Sequence, residues 1–183
     1  EKVFSEGLSV FPGNTIEREA SDRIRLNLAA MASERGDFGR TGLLISQITT
    51  SVKNDVNCLY MSGMLLAREK KYQEALTVFE KALATYPENP RLMNAIGFIL
   101  CEQNQNLERA ENLLETSYQM VKSRNPVDLA DLLMVTHSLG KLYWKQNRLK
   151  EAGELLKIAW EQSPEDWVLL REERRLRSEE HTS

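Results

Sequence analysis

Two cysteines in 183 residues, Cys58 and Cys101, cannot build a disulfide framework, so the chain has to hold itself together by packing. Histidine is scarcer still. His137 is the only one outside the last seven residues, which excludes a multi-histidine metal site and leaves acid–base chemistry one obvious candidate. Five prolines and nine glycines are too few to punctuate an all-β chain. Apolar runs stop well short of the roughly 20 residues that span a bilayer as a helix, so no membrane insertion is expected. The formal charge of −3 carries no basic excess, and its one arginine cluster, Arg171, Arg174, Arg175 and Arg177, is interrupted by Glu172 and Glu173. That pattern is a solvated helix face rather than a phosphate track, and no nucleic-acid partner is expected.

What the chain does have is a period. Gly63 and Gly97 stand 34 residues apart, each inside an apolar helical run, and residue sizes recur around them. In Val56–Asn89, Leu59, Gly63 and Leu66 share one helical face. After a charged turn, Tyr72, Ala75, Phe79 and Ala82 share a second face, and Pro87 ends it. Two helices joined by a short turn approach closely only where small residues meet. Gly63, Ala75 and Ala82 therefore permit contact, while Tyr72 and Phe79 fill the space beside it. From Leu133 onward, Leu139, Gly140 and Tyr143, then Leu149, Ala152, Leu156, Ala159 and Pro164, repeat the scheme.

These residues resemble the tetratricopeptide repeat family, whose unit is a 34-residue helix–turn–helix. Residues 56–89 and 133–166 carry the resemblance most fully. Residues 90–132 keep Met93, Ile96, Gly97, Leu100, Ala110, Leu114 and Ser117, with a turn at Asn104–Asn106 that is one residue longer. About eight further residues, from Val121 to Asp128, delay the next unit, and Pro126 is expected to start its helix. Residues 16–55 form a divergent copy with Leu28, Ala29, Ala32, Phe38, Thr41, Ile45 and Ile48, but Lys53 where a proline is usual. The resemblance implies an all-α, right-handed superhelical array of antiparallel helix pairs. Helices are expected at 16–35, 38–53, 56–69, 72–85, 90–103, 107–123, 127–146, 149–162 and 165–176.

Both ends read as cut. Residues 1–15, with Phe4, Leu8 and Pro12, look like the tail of a preceding repeat, and 167–176 like a capping or next helix. Residues 177–183, RSEEHTS, match the translation of one frame of a widely used sequencing-library adapter and are expected to be an artefact, so they are set aside from fold reasoning. The cysteines tilt the compartment toward the reducing cytoplasm. A periplasmic or envelope-associated place stays open, because the segment THSLGKLYW followed by LKEAGELLKIAWEQSPED is similar to repeats of bacterial envelope and assembly proteins.

No catalytic, cofactor or metal site is expected, and the chain does not read as an enzyme. Cys101 and His137 fall on neighbouring first helices, but nothing resembling an oxyanion donor accompanies them. The repeat does imply a groove lined by first helices. Its candidate peptide-binding residues are Tyr60, Met64, Arg68, Arg91, Asn94, Phe98, His137, Lys141, Trp144 and Lys145. Rings and cations at the C-terminal end suit an acidic or aromatic-containing peptide or protein. Leu26, Ala30 and Ser33 continue the same positions into the divergent copy. The two-carboxylate clamp of co-chaperone relatives is not expected. In one register its positions hold Leu26, Ala30, Met61, Arg91 and Ala95, and in the other Tyr60, Met64, Ala95, Met134 and Ser138, so only Arg91 keeps the needed charge. The expected function is a protein–protein interaction scaffold. The alternative is a regulatory or substrate-docking segment of a larger enzyme whose catalytic domain lies outside this sequence.

Overall fold

The computed structural model describes residues 15–162, with side chains described to Ile158. The segments 1–14 and 163–183, including the expected helix at 165–176, lie outside the described residues. Among those described there are eight α-helices and one 3-10 turn, and no strand. The described residues fall into two compact units, divided between Pro87 and Glu88.

In the first unit, α1 (Thr15–Glu34) packs against α2 (Phe38–Ser46), and α3 (Val56–Arg68) against α4 (Tyr72–Thr85). Leu26, Leu28, Ala29, Leu44, Ile48, Val52, Cys58 and Met61 make a buried cluster that ties the divergent α1–α2 pair to α3. In the α3–α4 pair, Ala75, Phe79 and Ala82 are completely buried. Gly63 explains how so large a ring fits between two helices: a Cβ at this position would lie 2.5 Å from the Phe79 ring.

The second unit contains α5 (Pro90–Glu102), α6 (Leu107–Lys122), α7 (Leu129–Lys145) and α8 (Leu149–Gln162), with α5 against α6, α7 against α8, and α7 also against α5 and α6. Its core is built from Leu92, Ile96, Ile99, Leu114, Val121, Val135, Leu139 and Leu142, all essentially inaccessible. The hydroxyl of buried Ser117 on α6 donates to the carbonyl of Pro90 at 2.7 Å, which pins the start of α5. Ala159 and Pro164 of the repeat pattern lie beyond the described side chains.

The turns inside the helix pairs share one design. The helix ends in a paired i→i−5 and i→i−3 closure around a left-handed residue: Gly36 (φ 75°), Lys70 (60°), Asn104 (54°) and Asn147 (61°). Lys71 N–H donates to Leu66 C=O at 2.9 Å and Lys70 N–H to Ala67 C=O at 3.0 Å, and the other three turns repeat this pattern. It is the Schellman arrangement, which satisfies carbonyls that a helix end leaves orphaned. The α5–α6 turn is one residue longer, as its sequence indicates. Asn106 takes the extra residue into a second left-handed position (φ 41°), and its side chain caps α6 at Arg109 N–H.

Two expected helices have different ends. The helix expected over 38–53 stops at Ser46 and resumes only as a 3-10 turn at Ser51–Asn54. The cause lies 27 residues upstream: buried Asp22 on α1 accepts the backbone N–H groups of Thr49 and Thr50 at 2.8 and 2.9 Å, diverting them from helical pairing. The helix expected from 127 begins at Leu129 instead of beside Pro126, because Asp128 caps it by accepting Asp131 N–H at 3.0 Å.

Asp22 makes the first unit acid-sensitive. Burial pushes its carboxyl up, but the amides of Thr49 and Thr50 and the Arg25 guanidinium outweigh that and hold it below the ordinary carboxylate range. A group with a depressed folded pKa contributes its stability above the unfolded value, roughly 4, and loses it as pH falls through the folded one. The Asp22→Asn variant should therefore show a shallower loss of helical circular dichroism between about pH 4 and pH 2 than the parent in the same urea concentration. Asp128 and Glu151, also held low, keep their share of the acid response in both proteins. Identical acid profiles would show that Asp22 does not organise this turn.

Candidate functional site

In the first unit, the three candidate residues lie along α3. Met64 is one of the few exposed large apolar side chains, at 38%. Tyr60 is half-buried, its ring tilted against Phe79 with centroids 6.0 Å apart. Arg68, at the end of the helix, places its guanidinium carbon over the Phe38 ring, 3.5 Å from the centroid. Its guanidinium therefore helps to pack α3 onto the start of α2.

The other seven candidates lie on α5 and α7, adjacent helices of the second unit. Three of the seven, Phe98, Lys141 and Lys145, are brought into one cluster around the end of α5. Lys141 forms an ion pair with Glu102 at 2.7 Å and sits 5.3 Å from the centroid of the Phe98 ring. One turn further along α7, the Lys145 ammonium donates to the Cys101 carbonyl and, at 3.4 Å, to that of Glu102. These are terminal carbonyls of α5, where a cation also meets the negative end of the helix dipole. Arg91 is engaged elsewhere. Its Nε is 2.5 Å from Oδ1 of Asp131, a residue only 4% exposed, while Arg124 holds the other oxygen at 2.7 Å.

The charge of this surface is consequently different from its sequence. Arg91, Lys141 and Lys145 read as open cations for an acidic guest, and each has a partner within the chain. Glu102 and Asp131 supply that compensation, and sequence reasoning missed both. They stand about 40 residues from the cations they meet, where no helical spacing signals the pairing. Phe98, His137 and Trp144 remain half-buried. Asn94 is 4% exposed, and its Oδ1 has no hydrogen-bond partner, an acceptor left over in the body of α5.

Nucleophilic chemistry finds no support among these groups. Burial pushes the Cys101 thiol up, outweighing the nearby ammonium of Lys145, and burial likewise raises Cys58 to about 11. Both thiols are thus protonated at neutral pH and inaccessible. Among the described residues no group of three or more His, Cys, Asp or Glu side chains is placed to hold a metal ion, and no helix is long and apolar enough to cross a membrane.

Comparison with known proteins agrees with this geometry. A family model described as Tetratricopeptide repeat matches residues 66–117, from the end of α3 into α6. A TPR repeat-containing protein of Pseudomonas aeruginosa is 25% identical over 114 residues, covering 62% of this chain and 18% of that protein. This chain thus spans less than a fifth of that relative's length. Among solved structures, MamA (residue 41 to the end) of Desulfovibrio magneticus RS-1 superposes with a TM-score of 0.61 at 22% identity, covering 87% of this chain and 85% of MamA. PilF of Pseudomonas aeruginosa superposes with a TM-score of 0.68 at 18% identity, covering 90% and 71%. At such identities the likeness is one of fold.

Proposed function

We propose that the chain is a protein-interaction scaffold of the tetratricopeptide-repeat type, which holds a peptide or protein partner on the α5–α7 surface. The observation that carries this reading is the set of half-buried rings on two adjacent first helices, Phe98 on α5 and His137 and Trp144 on α7. These rings would supply apolar contact to a guest. Met64 and Tyr60 offer the corresponding positions on α3.

The internal pairing of the cations changes the kind of guest. Drawing an acidic side chain to Lys141 means displacing Glu102, so charge contributes selectivity and the rings contribute affinity. Trp144→Ala should weaken a partner recovered by pull-down by about 2 kcal/mol, roughly 30-fold, at any salt concentration if the ring is an anchor. Lys141→Glu should have a smaller effect that fades by 0.5 M salt, since partly exposed pairs are screened within about 10 Å at 0.1 M. Lys145→Glu is a poor probe, because it removes the cap of α5. Unchanged affinity of both folded variants, Trp144→Ala and Lys141→Glu, measured by calorimetry, would place the partner on another surface.

A further inference from the structure

The second unit carries a separate cleft between its second helices. Helices α6 and α8 form its walls and α7 its floor, and it encloses about 750 Å³. The volume is in the range of sites that take side chains or small ligands, roughly 300–1,000 Å³. Leu139, Tyr143 and Leu155 give an apolar base, and Met120 and Ile158 extend it along the walls. None of the ten candidate groove residues lines it.

Its rim is acidic. Glu115, Glu151 and Glu154 line the cleft against one cation, Lys122. The Tyr143 hydroxyl donates to Glu115 at 2.6 Å, fixing that carboxylate over the apolar base without neutralising it. Arg148 stacks 3.8 Å from the centroid of the Tyr143 ring, but its charge is shared between Glu151, at 2.8 Å, and Glu111. One guanidinium facing two carboxylates leaves a negative charge over. Glu154 forms no ion pair with any described residue. An apolar base under uncompensated carboxylates selects for a guest with an apolar side chain flanked by cations.

From this arrangement we infer that the α6–α8 cleft is a second docking site, which takes a lysine- or arginine-bearing segment of a partner protein with an apolar anchor residue seated over Leu139, Tyr143 and Leu155. The guest's cations meet Glu115 and Glu154, and the anchor fills the cleft. The α5–α7 cluster has its cations paired within the chain and offers rings, whereas this cleft offers carboxylates over an apolar base, so the two surfaces select different ligands.

A random dodecapeptide display library, selected on the protein and counter-selected on a Glu115→Gln/Glu154→Lys variant, tests this. The variant preserves an acceptor for Tyr143 and leaves the Arg148 cluster untouched. Peptides that survive counter-selection should carry Lys or Arg beside an apolar residue. One such synthetic peptide should bind the parent at least tenfold more tightly than the variant at low salt, and should shift the backbone amide resonances of Gln119, Leu155 and Ile158. Trp144→Ala should bind it like the parent, which separates this site from the α5–α7 reading. The inference is overturned if no peptide discriminates parent from variant, if the discriminating peptides are acidic, or if their shifts fall on α5. Self-association of the parent that the same variant abolishes would give the cleft to a second copy of the chain and would likewise overturn it.

Discussion

Gly97→Ala is expected to destabilise the protein by about 1–3 kcal/mol, whereas Gly140→Ala should be neutral or stabilising by up to about 1 kcal/mol. A methyl group is added to a buried helical glycine in both cases, and both glycines occupy the same place in the repeat pattern. At Gly97 the new Cβ would lie 2.6 Å from Leu114 Cγ and 3.1 Å from the Ala110 carbonyl oxygen. Leu114 is completely buried and the carbonyl belongs to α6 itself, so neither can move without parting the helices. Overpacking of this kind outweighs the roughly 1 kcal/mol by which alanine favours a helix over glycine. At Gly140 the nearest atom is Leu156 Cγ at 3.6 Å, an ordinary contact, so the helix gain is kept. Gly63→Ala should behave like Gly97→Ala, since the buried Phe79 ring lies 2.5 Å from the added atom. Urea midpoints of the three variants decide. A stabilised Gly97→Ala would mean that α5 and α6 lie farther apart than described.

That contrast marks what the sequence could reveal. The 34-residue spacing, the helix-pair fold and the extra turn residue at Asn106 were legible because each depends on residues within one turn or one helix face. Gly140 repeats the pattern position of Gly97 yet has about 1 Å more room, a difference set by the α7–α8 packing and invisible in the pattern itself. The premature end of α2 was not legible either, because Asp22, the group that captures the Thr49 and Thr50 amides, is remote in the chain. The internal pairing on the candidate surface was hidden in the same way. Rings and cations could be assigned to first helices from their periodicity, but their neutralisation by Glu102 and Asp131 needed the fold. The acidic cleft needed it too, since its rim is assembled from two helices whose carboxylates read individually as solvated faces.

Removing Arg91 and Arg124 together should cost about 3–5 kcal/mol, far more than the sum of the two single changes. Asp131 is buried, and each of its oxygens is held by one guanidinium, at 2.5 and 2.7 Å. The arginine side chains are themselves about two-fifths exposed. Either one can therefore be lost at roughly 1 kcal/mol or less, a figure already reduced for solvent screening, while the other continues to compensate the carboxylate. With both replaced by alanine, Asp131 is a buried charge without a countercharge, and the desolvation penalty falls due in full. The damage should be felt where these residues converge, at the start of α7 and the residues after α6, which Asp128 and Arg124 tie together. A third change provides the internal check. Asp131→Asn in the Arg91→Ala/Arg124→Ala background removes the stranded charge and should restore most of the lost stability in a denaturant titration. Additive single and double changes, or a triple variant no more stable than the double, would mean that Asp131 reaches water and that the two arginines do not hold it.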